Sequence, residues 1–240
     1  MGERELAENI KRQQYFKAVE SPVPEHDEGT REIGELYPFL ISGGSNTERF
    51  YFTHVNNITE YKFNIRPEYF GNESSYTDVF PKRIKEILNA NHDARVFCVF
   101  DWDTVYVNEA RLESHRRFED QFRTEISEGR VTLCPSMPCI EYWFLLHFVD
   151  YSKFLRNYSS VSNRLASYMK RQCFPGEKQV LSKLLKMGKY LKSSTWVERL
   201  CADGKLDLAK ERAENNITAA LRAGNLDTQS YSYVYKVFKD

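Results

Sequence analysis

The stretch ARVFCVFDWDTV, residues 94–105, decides the fold because it joins a buried strand to a pair of acids. Its first seven residues form an almost unbroken apolar run, which is typical of a parallel strand covered on both faces. Side chains alternate along a strand, so Asp101 and Asp103 are expected to point the same way. They follow the carboxyl end of the strand, where open α/β sheets bind their ligands.

Two carboxylates at such an edge repel each other unless a proton or a cation separates them. Mg²⁺ (or Mn²⁺) suits this position because it takes one or two carboxylates and keeps waters or substrate phosphates as its other ligands. We therefore expect Asp101 and Asp103 to be metal-binding and catalytic residues. The alternative is a polar loop whose two acids cap the next helix.

Outward from this stretch, strand and helix patterns alternate along the chain. Apolar or alternating runs predict strands at residues 36–42, 61–70 (ending near Pro67), 94–100 and 131–136. Apolar residues at helical spacing predict helices at residues 47–57, 77–91, 107–129 and 139–149. This order predicts an α/β fold with a mostly parallel sheet flanked by helices.

The same patterns suggest three parts of the chain. Residues 1–35 are interpreted as an N-terminal arm, and residues 36–150 as the α/β core. Residues 151–240 show only helical patterns and are interpreted as a basic C-terminal helical extension.

A second candidate loop is FLISGGSNTERFYF, residues 39–52, in which a strand runs into two glycines and then a helix. Gly43 and Gly44 permit close approach of the backbone to a phosphate, and the N–H groups at a helix start favour an anion. Glu48 follows in the first turn of that helix. Glycine pairs are common in turns, so this loop is a candidate site only because it is expected at the same sheet edge as the aspartates.

A third candidate is PSMPCIEYWFLLHF, residues 135–148. Glu141 opens an otherwise apolar helix, and a buried carboxylate there is costly unless it meets a cation or hydrogen-bond donors. Attraction to the helix N-terminus is an equally good reason for an acid at this place. His147, nearly two turns later, is interpreted as a hydrogen-bonded core histidine.

The net charge of zero conceals an asymmetry between the two halves of the chain. Residues 1–150 carry 17 Lys and Arg against 26 Asp and Glu, whereas residues 151–200 carry 11 against 2. Five of these basic residues are interleaved with aromatic ones, a composition suited to binding single-stranded nucleic acid. They are Lys170, Arg171, Lys183, Lys186 and Lys189. The alternatives are a solvated basic face, or two halves that neutralise each other.

Cysteine content and hydropathy set the expected environment. The five cysteines are odd in number and contain no CxxC pair, which disfavours a zinc site or a disulfide framework and favours a reducing cytoplasm. No apolar run is long enough to cross a membrane, so no membrane partner is expected.

Together, the motifs GGSNTERFYF, VFCVFDWDT and PSMPCIEYWFLLHF resemble those of the RloB-like proteins, a branch of the Toprim nuclease domain, over residues 36–149. The resemblance implies a Toprim-like core, divalent-metal dependence and phosphodiester cleavage in DNA or RNA. It also implies a role in restriction loci and abortive-infection defence, often beside an AAA- or ABC-type ATPase partner. The oligomeric state stays open, a homo-oligomer included.

The resemblance assigns roles residue by residue. Glu48 matches the second acid of the glycine motif, Asp101 and Asp103 match the metal-binding pair, and Glu141 matches the acid of the third motif. The chain departs from the family where Gly43 takes the place of a leading glutamate. Met137 also stands where the family has Asn.

Three hypotheses follow from the sequence. The first is a metal-dependent nuclease that lacks the leading glutamate, with Glu48, Asp101 and Asp103 as catalytic residues and metal ligands and Glu141 as a further metal ligand. The second is a catalytically lapsed sensor or effector subunit that binds nucleic acid, a nucleotide or a partner ATPase. The third, from the D-x-D-x-[TV] pattern of DWDTV, is a haloacid-dehalogenase-type phosphotransferase with Asp101 as its nucleophile.

Overall fold

The computed structural model describes residues 37–43, 46–66 and 76–239. A five-stranded sheet with the order β2-β1-β3-β4-β5 lies at its centre. The strands are β1 (Phe39–Ser42), β2 (Asn64–Arg66), β3 (Val96–Asp101), β4 (Val131–Met137) and β5 (Tyr231–Ser232). The first four strands pair in parallel and β5 joins antiparallel, so the prediction of an α/β fold with a mostly parallel sheet is confirmed.

Helices follow the strands in the predicted alternation, but the single helix predicted at residues 107–129 is divided into two at Phe122. In the first half of the chain they are α1 (Thr47–Ile58), α2 (Tyr76–Ala90), α3 (Glu109–Gln121), α4 (Arg123–Ser127) and α5 (Glu141–Leu146). In the second half they are α6 (Tyr158–Gln172), α7 (Leu181–Leu184), α8 (Gly188–Leu191), α9 (Thr195–Cys201) and α10 (Lys205–Ala223). In the described ranges, no helix is both long and apolar enough for a membrane span.

The apolar run of β3 is explained by its central place in the sheet. Phe97 and Val99 belong to one buried cluster, which includes Trp143 of α5 and residues of α6, α9 and α10. The intervening residues of β3 belong to a second cluster on the other face, with Phe80 of α2 and Phe118 of α3. Both faces of β3 are therefore covered, as the absence of polar alternation predicted.

The strand register brings the loops of interest to one edge. Ser42 of β1 lies beside Val99 of β3, and Asp101 of β3 lies beside Ser136 of β4. Because these strands are parallel, the loops that follow them all emerge at their carboxyl ends. This edge carries the starts of α1 and α5 and the turn after β3.

The second half of the chain departs from its predicted pattern in one respect. Helices prevail there, but Tyr231–Ser232 adds a strand to β4, and a 3₁₀ helix (Tyr233–Phe238) follows it. Two residues are too few to show any periodicity, which is why the sequence predicted only helices. The predicted N-terminal arm, residues 1–35, lies outside the described residues.

Candidate functional site

The carboxyl edge of the sheet holds a cavity of about 330 Å³, here called the acid pocket. Its walls include all four predicted acids: Glu48, Asp101, Asp103 and Glu141. Glu48 and Glu141 each lie in the first turn of a helix and are only 6% exposed. The four acids thus come from three separate segments of the chain.

The aspartates reach the pocket by a different route from the one predicted. Strand β3 ends at Asp101, and Asp103 lies in a 3₁₀ turn (Trp102–Thr104), so strand alternation does not extend to it. Instead, the Asp103 N–H donates to the Pro138 carbonyl oxygen (3.0 Å). The turn after β3 is thereby tied to the loop that enters α5.

The alternative role of these aspartates as helix caps is not supported. The side chain of Asp101 makes no capping hydrogen bond to the turn that follows it. Asn108 caps the next helix, α3, by accepting from the Arg111 N–H. Asp101 Oδ1 instead accepts from the Ile140 N–H (2.8 Å), across the sheet edge, which fixes its carboxylate at the pocket.

Burial raises the pKa of all four carboxyl groups, and the charge of a neighbouring acid also raises it in Glu48, Asp101 and Glu141. The pKa of Glu48 is raised to about 7 overall: burial raises it most, its own backbone N–H lowers it, and the charge of Glu141 raises it. The pKa of Asp101 is raised well above its usual range by burial and by the charges of Glu48 and Glu141. Burial also raises the pKa of Asp103.

The pKa of Glu141 bears on the two explanations for this acid, which are a nearby cation and the helix N-terminus. Hydrogen bonds from the Cys139 thiol and from its own backbone N–H lower its pKa, as attraction to a helix start would. Burial outweighs them, so the pKa of Glu141 is raised overall. The helix terminus therefore stabilises this carboxylate only in part.

Cations are scarce around the acid pocket. Among the described residues, no Lys, Arg or His forms an ion pair with any of the four acids. Lys186 lines the pocket, and its charge lowers the pKa of Glu141. One exposed ammonium group does not balance four carboxylates.

The donor chemistry of the pocket fits a divalent cation, although a complete ligand cluster is not assembled. Carboxylate oxygens are the ligands that Mg²⁺ and Mn²⁺ prefer. Within the described ranges, no three His, Cys, Asp or Glu side chains are grouped closely enough to hold a metal ion. Because Mg²⁺ needs only one or two carboxylates and keeps several waters, the residues present suit an open site rather than a closed cage.

The glycine loop contributes to the pocket through its helix. Gly43 is exposed, and its N–H donates to the Val99 carbonyl oxygen (2.8 Å), so it extends the β1 pairing. Gly44 lies outside the described residues. Asn46, Thr47 and Glu48 line the pocket, and Glu48 is the acid that this motif contributes.

Of the five predicted nucleic-acid-binding residues, the structure brings one to the acids. Lys186 lines the acid pocket, whereas Lys170, Arg171, Lys183 and Lys189 do not. The hydrogen bond from Thr47 Oγ1 to the Leu185 carbonyl oxygen (3.4 Å) ties the segment that carries Lys186 to α1. His54 Nε2 of α1 donates to the Leu191 carbonyl oxygen (2.6 Å) and ties the end of α8 to the same helix.

Tyr158 was not predicted as a site residue, yet it lines the acid pocket. Burial and the charge of Glu141 raise its pKa to about 12. It is the first residue of α6, in the segment that the sequence analysis interpreted only as a helical extension. No local pattern marks it, because its place depends on how α6 packs against α5.

His147 lies in the core, as predicted, and not in the pocket. Its Nδ1 donates to the Trp143 carbonyl oxygen (3.0 Å), and its buried Nε2 has no hydrogen-bond partner among the described residues. Burial lowers the pKa of His147 to about 3, so the ring is neutral at physiological pH.

These features define the class of protein: an α/β protein with an acidic pocket at the carboxyl edge of its parallel strands. Residues 39–240 match the family model of the RloB-like protein family, and the chain belongs to that family. The match extends beyond the motifs of the first 149 residues and takes in the helical second half. No curated protein and no solved structure matches the chain.

Proposed function

We propose that this chain is a divalent-metal-dependent nuclease that hydrolyses phosphodiester bonds in DNA or RNA. The observation that carries the proposal is the convergence of Glu48, Asp101, Asp103 and Glu141 with Lys186 in one pocket. A phosphodiester is itself an anion, so four carboxylates would repel it unless cations enter with it. Metal-assisted cleavage of a phosphodiester suits such a site, because the metal ion supplies the positive charge that the site lacks.

Each pocket residue has a role in this proposal. Asp101 and Asp103 would hold the metal with help from Glu141, and Glu48 would serve both as ligand and as a catalytic group. The cation would neutralise the scissile phosphate and activate the attacking water. The Ile140 N–H keeps the Asp101 carboxylate in place, and the Lys186 ammonium group would contact a phosphate oxygen.

The cellular part of the proposal rests on the family. The resemblance to the RloB-like proteins implies a cytoplasmic role in bacterial anti-phage defence. An ATPase partner and control of the nuclease by that partner would accompany such a role.

Gly43 favours a second candidate function, a lapsed nuclease that acts as a sensor or effector subunit. It supplies no carboxylate where the resemblance places the leading glutamate of the family motif, and the acids that remain form no group of three ligands in the described ranges. Such a subunit would bind nucleic acid, a nucleotide or an ATPase without cleaving a phosphodiester. The match to the family gives the phosphotransferase hypothesis no support.

The direct test is incubation of the purified chain with labelled DNA and RNA, with Mg²⁺ or Mn²⁺ and with EDTA. We expect cleavage only with metal, and loss of cleavage in Asp101→Asn. Asparagine keeps an oxygen acceptor for the Ile140 N–H, so the fold should persist. The matched control is Asp93→Asn, at an exposed carboxylate remote from the pocket lining, and it should cleave like the parent chain.

Equal cleavage by Asp101→Asn and the parent chain would refute the nuclease proposal. Absence of cleavage in the parent chain under all conditions would favour the second candidate. Gly43→Glu then separates the two: gained cleavage indicates a lapsed nuclease, whereas unchanged or reduced cleavage indicates a nuclease that works through Glu48.

A further inference from the structure

A second polar cavity, of about 220 Å³, lies in the C-terminal half of the chain and is here called the aromatic pocket. It is formed by the turn after α6, by α8 and by α9, and it shares no lining residue with the acid pocket. Its volume is below the roughly 300–1,000 Å³ of sites for drug-sized ligands, so it suits a single small ring system.

Aromatic rings line one side of this pocket. Phe174 and Trp196 stack with ring centroids 6.2 Å apart and an angle of 19° between their planes. Tyr190 meets the edge of Phe174 at 5.9 Å. Trp196 is 1% and Phe174 5% exposed, whereas Tyr190 is half-buried and has ring surface left to meet a ligand. The accessible part of the Tyr190 ring can stack on a planar ligand, and the two buried rings support it from behind.

The polar groups of the pocket are a carboxylate and a guanidinium. Glu177 and Arg199 both line it, and neither forms an ion pair with any residue in the described ranges. The Arg199 guanidinium donates to the Cys173 carbonyl oxygen (3.5 Å), which keeps it at the pocket wall. A carboxylate accepts two hydrogen bonds side by side, and a guanidinium only donates, so the pocket offers both kinds of partner.

We propose that the aromatic pocket is a binding site for a guanine base. Guanine is planar, carries two neighbouring N–H donors that match the Glu177 carboxylate, and carries acceptors that match Arg199. Adenine offers only one exocyclic amino group to a carboxylate, and the pyrimidines stack less ring surface. The hydrogen-bonding groups of the pocket and the Tyr190 ring therefore favour guanine over the other bases.

The position of the pocket suggests where the base comes from. Lys186 lines the acid pocket and Tyr190 lines the aromatic pocket, so three residues separate them and their Cα atoms lie within about 14 Å. Between them, the Lys189 ammonium group lies 4.6 Å from the Tyr190 ring centroid. A single strand with a guanine in this pocket would have its backbone close to the acids. This assignment to a strand rests on the proposed nuclease function, whereas a free guanine nucleotide would fit the pocket without it.

The test is calorimetric titration of the full chain, in EDTA, with GMP and with AMP. The two nucleotides share their sugar and phosphate, so any difference reports the base. We expect GMP to bind about 10-fold or more tightly than AMP, since it gains a hydrogen bond to a charged group. Glu177→Gln and Arg199→Gln should each weaken GMP binding by a similar factor.

Matched controls are Glu211→Gln and Arg222→Gln, which remove the same charges from exposed positions on α10 away from this pocket. Both should bind GMP like the parent chain. Equal affinity for GMP and AMP, no binding of GMP at millimolar concentration, or unchanged binding in both pocket variants would overturn the proposal. A chain that binds GMP but cleaves nothing would overturn the nuclease proposal and leave the guanine site standing.

A second titration identifies the source of the base. An oligothymidylate with one central guanine is compared with the same strand carrying adenine, in EDTA and with Asp101→Asn so that no cleavage occurs. Guanine preference in the strand supports a substrate base, whereas preference seen only with GMP supports a free nucleotide ligand.

Discussion

Two groups of acids in this chain differ in how their charge is balanced. Along α3 and just after α4, acids pair with arginines, as in Arg116 with Glu109 (3.3 Å) and Arg130 with Glu128 (2.7 Å). In the acid pocket, four carboxylates are brought together without an ion pair in the described ranges. The surface pairs add little to stability and need no further partner. The pocket acids are buried at a cost in stability, and the proposed function would use them to bind a cation.

The largest expected difference between the two groups is in cleavage. Glu141→Gln removes one pocket charge and should reduce metal-dependent cleavage by more than the roughly 10–100-fold that loss of a supporting contact costs. Glu113→Gln removes a surface acid beside Arg116 (3.7 Å) and should leave the rate unchanged. The two rates are compared with the same labelled substrate at the same Mg²⁺ concentration. Similar rates for both variants would mean that the pocket acids have no special role.

The next difference is in the stability of the metal-free protein. The pKa of Glu48 in the folded state is about 7, against 4.5 for an ordinary glutamate. Ionisation of Glu48 therefore does not destabilise the folded protein below pH 4.5, and it destabilises the folded protein fully above pH 7. We expect Glu48→Gln to raise the free energy of unfolding by about 1–3 kcal/mol at pH 8. Glu109→Gln, in a surface pair, should change it by less than about 0.5 kcal/mol.

Urea unfolding in EDTA at pH 8 and pH 4.5 measures both effects. The gain in Glu48→Gln should shrink at the lower pH, because the parent carboxyl is then protonated in the folded state. A loss of stability in Glu48→Gln at pH 8 would show that this carboxylate is satisfied without a cation.

A smaller effect on stability is expected from His147, which lies in the core and not in the pocket. His147 has a folded-state pKa of about 3, below its ordinary 6.5, so the unfolded chain takes up a proton that the folded chain does not. Stability from the neutral ring is full above pH 6.5 and falls by about 1.4 kcal/mol for each pH unit below it.

His147→Gln removes this proton uptake and keeps a donor for the Trp143 carbonyl oxygen. Its loss of stability between pH 7.5 and pH 5.5, from urea unfolding, should be about 1.4 kcal/mol smaller than that of the parent chain. His92→Gln, at an exposed side chain, should leave the pH dependence as it is. Parallel pH profiles for His147→Gln and the parent would contradict a neutral buried ring.

The sheet and the three segments that carry the pocket acids could be predicted from the sequence, because local patterns determine them. The apolar run before Asp101 marks a strand covered on both faces, and parallel strands must bring their following loops to one edge. Glu48 and Glu141 stand next to predicted helix starts, so their convergence followed from topology alone. The reason given for Asp103 was wrong, since a 3₁₀ turn, and not an extended strand, carries it to the pocket.

What the sequence could not supply depends on packing between distant segments. Tyr158 and Lys186 reach the acids because the second half of the chain packs on α1 and α5, through contacts such as Thr47 with Leu185. The residues that line the aromatic pocket lie in segments whose sequence patterns indicate separate helices. Periodicity reports which face of a helix is buried, and it does not report which other helix covers that face.

The central claim, that the acid pocket binds a divalent cation, is tested most directly by calorimetric titration of Mn²⁺ into the metal-free chain. We predict one saturable site in the parent chain and in the exposed-acid control Asp93→Asn. In Asp101→Asn the affinity should fall at least about 10-fold, because a pocket carboxylate is lost while the Ile140 N–H keeps its acceptor. Absence of saturable binding in the parent chain, or equal affinity in Asp101→Asn, would contradict the claim.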